Sequence, residues 1–244
     1  MQNDYLINIS QMSLVDKILS VLKAGVSVFS EAAPLVSLLS DYQSQKQTKL
    51  IEDVLNRFLS MIEELDNRVK DLEYMNSQDF IYDLLQTVDR AKDEQDEYRR
   101  FMYAKYLTSC CHIENVKNRC KRIFLDYMGK MDELDYFVLK SLNNTFNDRN
   151  AIDDVTHRFN HENHCDLSKR EVMNHFYYLT SLGIIEMSDQ EEVVKFRKRY
   201  QVESKSSTFR KERLYQRTTL GDDLYYFIRR AEEKIESDSD GQAR

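Results

Sequence analysis

Ile51, Leu55, Phe58, Ile62, Leu65, Val69 and Leu72 stand at alternating steps of four and three. That is a 3.5-residue repeat sustained over three heptads, the spacing of a helix with one apolar seam. Glu52, Asp53, Asn56, Arg57, Glu63, Glu64, Asp66, Arg68 and Lys70 lie between these positions and give the helix a solvated face. The pattern predicts one helix over about 46–74. Its seam can be covered in two ways. A neighbouring helix of the same chain would make an antiparallel hairpin, the usual fate of a short heptad run in a bundle. A second copy would make a homodimer through the same seven residues.

The surrounding sequence is helical too. The chain has 244 residues but only five Gly and one Pro, too few turn formers for an all-β design. Ser13 with an acid three residues later predicts an N-cap, and Val15, Ile18, Leu22, Val26 and Phe29 follow at helical spacing up to Pro34. Further helices are expected at "SQDFIYDLLQTVDRA", with Phe80, Ile81, Leu84, Leu85 and Val88 inward, and at "DEYRRFMYAKYLTSCC", with Tyr98, Phe101, Met102, Tyr106 and Leu107 inward. "ENVKNRCKRIFLDYM" predicts another, with a stripe of Val116, Cys120, Ile123 and Tyr127. Together these predict an N-terminal multi-helix bundle over 1–129, ending near Gly129.

Beyond Gly129 the pattern changes. "MDELDYFVLKSLNN", "NAIDDVTHRFNHE" and "SKREVMNHFYYLTSL" predict three helices, the last closed by Gly183. "IIEM" begins a strand, and "VVKFRKRYQ" with "STFRKERLYQRT" read as two strands of a basic hairpin. "TTLGDDLYYFIRRAEEKI" returns to helix, with Thr219 as its cap, and 236–244 is a loose polar tail. Between Val193 and Arg230 eleven Lys/Arg face four Asp/Glu, a local charge of +7 that leaves −14 for the rest of a chain whose net charge is −7. Such asymmetry says more about partners than the total does.

This order resembles the winged-helix family over residues 131–231. The resemblance rests on "YYLTSLGIIE" at 177–186 and "LYQRTTLGDDLYYFI" at 214–228. It implies a C-terminal winged-helix (α+β) domain over 130–235, which makes the whole chain mainly α. It also implies binding of DNA, RNA or another protein. "RRFMYAKYLTS" followed by "FLDYMGKMDELDYFVLKSL" is similar to uncharacterised bacterial proteins of the abortive-infection alpha kind. That likeness implies a defence protein acting through a protein partner, with the first helices at membranes.

The third helix of the second half carries the candidate reading face. Val172, Phe176, Leu179 and Leu182 form the inward stripe. Arg170, Asn174, Tyr177 and Ser181 then point outward, with Lys169 at the entry. Arg and Asn can form paired hydrogen bonds with guanine and adenine edges. Lys195, Arg197 and Arg199 follow at period two, with Lys205, Arg210 and Lys211 near the hairpin tip, where phosphate contacts are needed. Double-stranded DNA is the expected partner, and an unknown protein is the alternative. Ordinary solvated charges would produce the same pattern on a protein-binding domain.

Other chemistries are less well supported. His157, His161, His164 and Cys165 cluster in "HRFNHENHC", but their spacing matches no standard zinc pattern and surface histidines explain them. No phosphate-cradling glycine loop, nucleophile elbow or HExxH is present. "CCH" at 110–112 puts a thiol beside an imidazole, yet adjacent helical residues diverge by about 100°. No catalytic activity and no cofactor are expected. "AGVSVFSEAAPLVSLLS" at 24–40 has one charge, but it is too short and too broken for a span, so no membrane partner is expected. Cys110, Cys111, Cys120 and Cys165 read as reduced thiols, and the expected location is the cytoplasm.

Overall fold

A computed structural model describes residues 45–75, 77–115, 119–142, 146–193 and 209–232. The Ser13 cap, the apolar run up to Pro34, Val116, and the tail lie outside these residues. The described residues are mainly helical, with nine helices and a small antiparallel sheet. They divide into two compact units. The first takes the chain up to Met131 and again from Tyr226, and the second runs from Asp132 to Tyr225.

In the first unit the helices are α1 (Gln45–Glu64), α2 (Leu72–Met75), α3 (Gln78–Ala91), α4 (Glu97–Cys110) and α5 (Lys121–Met128). Helix α4 is central. Asp96 caps it by accepting a hydrogen bond from Arg99 N, and α1, α3 and α5 pack around it. Its residues Met102 to Cys110 are all buried, so it has no solvated face along that stretch. The heptad seam faces inward here: Ile51, Leu55 and Phe58 are fully enclosed and Ile62 and Leu65 nearly so. Phe58 meets Phe80 of α3 at 6.1 Å between ring centroids.

The seam is shorter than its sequence predicts. Helix α1 stops at Glu64, Val69 is half-buried, and Leu72 is 59% exposed. The backbone leaves the helix to pair elsewhere. Lys70 bridges His112, Asp71 N donates to Cys111 O at 2.8 Å, and Ile113 N donates to Val69 O at 2.8 Å. The stretch before Met128 is therefore not wholly helical. The stripe expected for α5 is also on the wrong face. The helix begins only after Cys120, buries Phe124, Leu125 and Met128, and leaves Ile123 46% exposed.

The second unit contains α6 (Glu133–Ser141), β1 (Phe146–Asn147), α7 (Asp148–Asn163), α8 (Lys169–Ser181), β2 (Ile185–Val193) and β3 (Phe209–Arg217). Helix α9 (Thr219–Arg230) begins in it, and the chain from Tyr226 on counts with the first unit. The three strands are antiparallel in the order β1-β3-β2. Helices α7 and α8 pack on each other, with α7 against β3 and α8 against β2. Phe176 and Tyr215 join helix to sheet edge-to-face at 4.8 Å, and Phe137 meets Phe159 at 5.2 Å.

Two boundaries differ from expectation. "IIEM" and the acidic "SDQEEV" form one continuous strand, so the ribbon begins at Ile185 rather than Val193. The helix after the ribbon is capped by Thr218, one residue earlier than Thr219, through Gly221 N donating to Thr218 Oγ1 at 3.0 Å.

Candidate nucleic-acid interface

The candidate face is built on α8. Ser168 ends the extended entry and starts the helix through a reciprocal cap, its hydroxyl accepting from Glu171 N while Glu171 accepts from Ser168 N. Burial of Val172, Phe176 and Leu179 then fixes the rotation of the helix. Leu182, the fourth residue of that stripe, is only half-buried, at the C-cap. Lys169, Arg170, Asn174 and Ser181 are exposed, and Tyr177 is 39% exposed. Lys169 pairs with Asp153 of α7 at 2.6 Å, an exposed pair of small energetic value that another anion can displace.

The ribbon is less basic than its sequence suggested. Its register sets Asp189 opposite Arg213, Glu191 opposite Lys211 and Glu192 opposite Arg210. Arg210 and Lys211 thus stand at register positions opposite acids of β2. Lys195, Arg197, Arg199 and Lys205 lie outside the described residues, in the connection 194–208. That connection has five Lys/Arg and one Glu in fifteen residues. Over the whole unit, 132–225, fourteen Lys/Arg face seventeen Asp/Glu. Any attraction for a polyanion must therefore come from local arrangement.

Two arginines of the +7 segment have internal roles. Arg217 is buried, lies 2.7 Å from Asp222, stacks over Tyr225 at 4.1 Å and donates to Leu139 O at 3.3 Å. In the first unit, Arg230 donates to Asn115 and pairs with Glu114, each at 2.5 Å.

Sequence reasoning missed His175, which faces away from the outward side of α8. Its Nδ1 lies 2.8 Å from Asp135 and 3.5 Å from Asp132. The hydrogen bond with Asp135 raises the imidazole pKa above its ordinary value, while burial raises that of Asp132. Among the described residues this trio offers ligand atoms within 4.8 Å of one another. Each is already engaged, because Asp132 and Asp135 exchange capping hydrogen bonds at the start of α6. The trio acts as a tie that fastens α8 to α6. The Asp-x-x-Asp cap was readable locally, but a partner forty residues away left no signal in spacing.

The other histidines stand apart from this tie. His157 and His161 sit 6.5 Å apart between ring centroids on α7, and both are exposed, as are His164 and Cys165. Cys165 donates to Asn160 Oδ1 at 3.3 Å. Cys110 and Cys111 are buried, and burial pushes both thiols well above their ordinary pKa, the wrong direction for a nucleophile. Among the described residues no helix is long and apolar enough to cross a membrane. No protein-family model, curated protein or solved structure matches the chain.

Proposed function

We propose that the second unit is a winged-helix domain that binds double-stranded DNA, with α8 in the major groove and the connection 194–208 against phosphates. The element order supports the fold reading. Helix, short strand, two helices and a two-stranded ribbon, with strand order β1-β3-β2, is the order that a winged helix would have. The observation that carries the function is the division of α8. One side packs on the sheet through Phe176, and the other offers Lys169, Arg170, Asn174 and Tyr177 to solvent. An exposed Arg and Asn one helical turn apart can read adjacent bases, while the basic connection supplies sequence-independent attraction.

Fluorescence anisotropy with a duplex across a salt series tests this. Binding that weakens linearly in log salt is expected, at about 0.9 log units per phosphate contact for each log unit of salt. Changing Lys195, Arg197 and Arg199 together to Ala reduces that slope. Arg170→Ala with Asn174→Ala weakens specific sites by about 1–3 kcal/mol per contact. Absence of binding at salt on the order of 50 mM, or a flat salt response, rejects the proposal.

The acidic total of the unit, and the acids that the register sets opposite cations in the ribbon, favour a second reading. In it the same helix face docks a protein, as the likeness to abortive-infection proteins implies. That reading predicts no duplex binding, and loss of the protein complex on changing Tyr177.

A further inference from the structure

In the first unit, a cavity of about 340 Å3 lies beside α3 and the start of α5. Arg119, Lys121 and Arg122 line it. Lys121 is 8% exposed, and its ammonium sits 3.9 Å from the centre of the Tyr74 ring. Arg122 lies 4.5 Å over the ring of Tyr82, a residue 41% exposed, and Arg119 is exposed. Among the described residues none of the three cations makes a hydrogen bond or an ion pair. Other cations of the unit do: Arg57 and Arg100 share Asp53, and Lys105 pairs with Glu232. The Lys121 ammonium, with the Tyr74 ring beside it and the Asp83 carboxylate in the same lining, makes no hydrogen bond among the described residues, and an anion entering the cavity would supply hydrogen bonds to it.

Two further features favour an anion. Lys121 and Arg122 are the first residues of α5, and Cys120 before them gives no side-chain cap. The first turn therefore presents backbone N–H groups and the positive end of the helix dipole beside the same cations. Asp79 and Asp83 also line the cavity, which leaves an excess of one positive charge. Asp83 is engaged within the fold, accepting from the Tyr74 hydroxyl at 2.5 Å. A lone carboxylate ligand would meet two guanidinium groups and an ammonium with only two oxygens. A phosphate group offers more acceptors and a second charge, which suits the planar guanidinium forks.

We propose that the first unit binds a small phosphate-bearing molecule in this cavity, held by Arg119, Lys121 and Arg122 at the start of α5. The recessed position of Lys121 favours a terminal phosphate over a phosphodiester flanked by sugars. The volume is at the lower end of small-ligand sites.

Calorimetric titration of the full chain with pyrophosphate tests this, with sulfate at matched ionic strength as the control. Saturable binding of pyrophosphate is expected, with sulfate much weaker. Lys121→Met should lower affinity by at least ~10-fold, a typical loss for a buried charge-assisted contact. That variant removes a buried group and can disturb folding. Arg119→Gln with Arg122→Gln alters exposed positions only, and it too should lower affinity by ~10-fold without moving the melting temperature of the ligand-free protein. No saturable heat, unchanged affinity in the double variant, or sulfate binding as tightly as pyrophosphate would each overturn the proposal.

Discussion

Glycine 221 is the position where one side chain has least room. A Cβ there would lie 1.9 Å from the carbonyl oxygen of Ile184. That oxygen cannot retreat freely, since it accepts from Thr218 N at 3.0 Å and from Thr218 Oγ1 at 3.1 Å. The missing side chain lets the start of α9 sit against the turn between α8 and β2. Gly221→Ala should cost about 2–3 kcal/mol, as for other forced overpacking, read from the midpoint of urea unfolding. Gly183 presents the opposite case. Nothing lies within 4 Å of a Cβ there, but its φ of 71° is left-handed. Gly183→Ala should cost only about 1–2 kcal/mol, from backbone strain alone.

Charge at single residues makes stability depend on pH. His175 is held above its ordinary pKa by Asp135, with Asp132 and Glu171 adding to the effect over the opposing cost of burial. A raised folded-state pKa means that the stabilisation is full below the unfolded value of 6.5 and is lost as pH rises through the folded value. Asp132, raised by burial, acts in the same sense at a lower pH, through the carboxylate range. Urea unfolding should therefore show the tie between α6 and α8 weakening as pH climbs above 6.5. His175→Gln should flatten that slope. A wild-type curve already flat across this window would show that the imidazole is not held charged.

At the scale of elements, burial explains what the sequence revealed and what it hid. The seam of α1 and the inward stripe of α8 were legible, because Ile51, Leu55 and Phe58, like Val172, Phe176 and Leu179, must all face one side of a helix. The end of α1 was not. Val69 and Leu72 keep the heptad spacing, but backbone pairing of 69–71 with 111–113 ends the helix, and such long-range pairing leaves no periodic mark. The face of α5 was misjudged because Cys120 supplies no capping side chain to announce the start. In β2, acidic residues hid a strand whose backbone pairs with β3 from Ile185 to Val193. The outward residues of α8 followed from its inward stripe, whereas the cation cavity draws on residues from Tyr74 to Arg122 and could be seen only in three dimensions.

At the scale of the molecule, chain order and unit membership part company. The sequence break near Gly129 lies close to the division after Met131, but the first unit also takes the chain from Tyr226 onward. Within that unit Phe227 is fully buried, 5.1 Å from the ring of Phe124 and 5.7 Å from that of Tyr106. Asn115 Nδ2 donates to Phe227 O at 3.4 Å, and Lys105, itself buried, pairs with Glu232. Removing these residues opens an aromatic core and leaves the Lys105 ammonium without its carboxylate, two losses that compound one another. A chain cut after Met131 should therefore fail to give a cooperatively melting bundle, although it holds every helix from α1 to α5. In the full chain, Phe227→Ala should cost about 3–5 kcal/mol, the usual price of emptying a buried phenylalanine site. Calorimetry on both proteins checks this. A sharp, full-chain-like transition for the truncated piece would mean that the last helix is dispensable to the first core, and that the two units can be separated at Met131 after all.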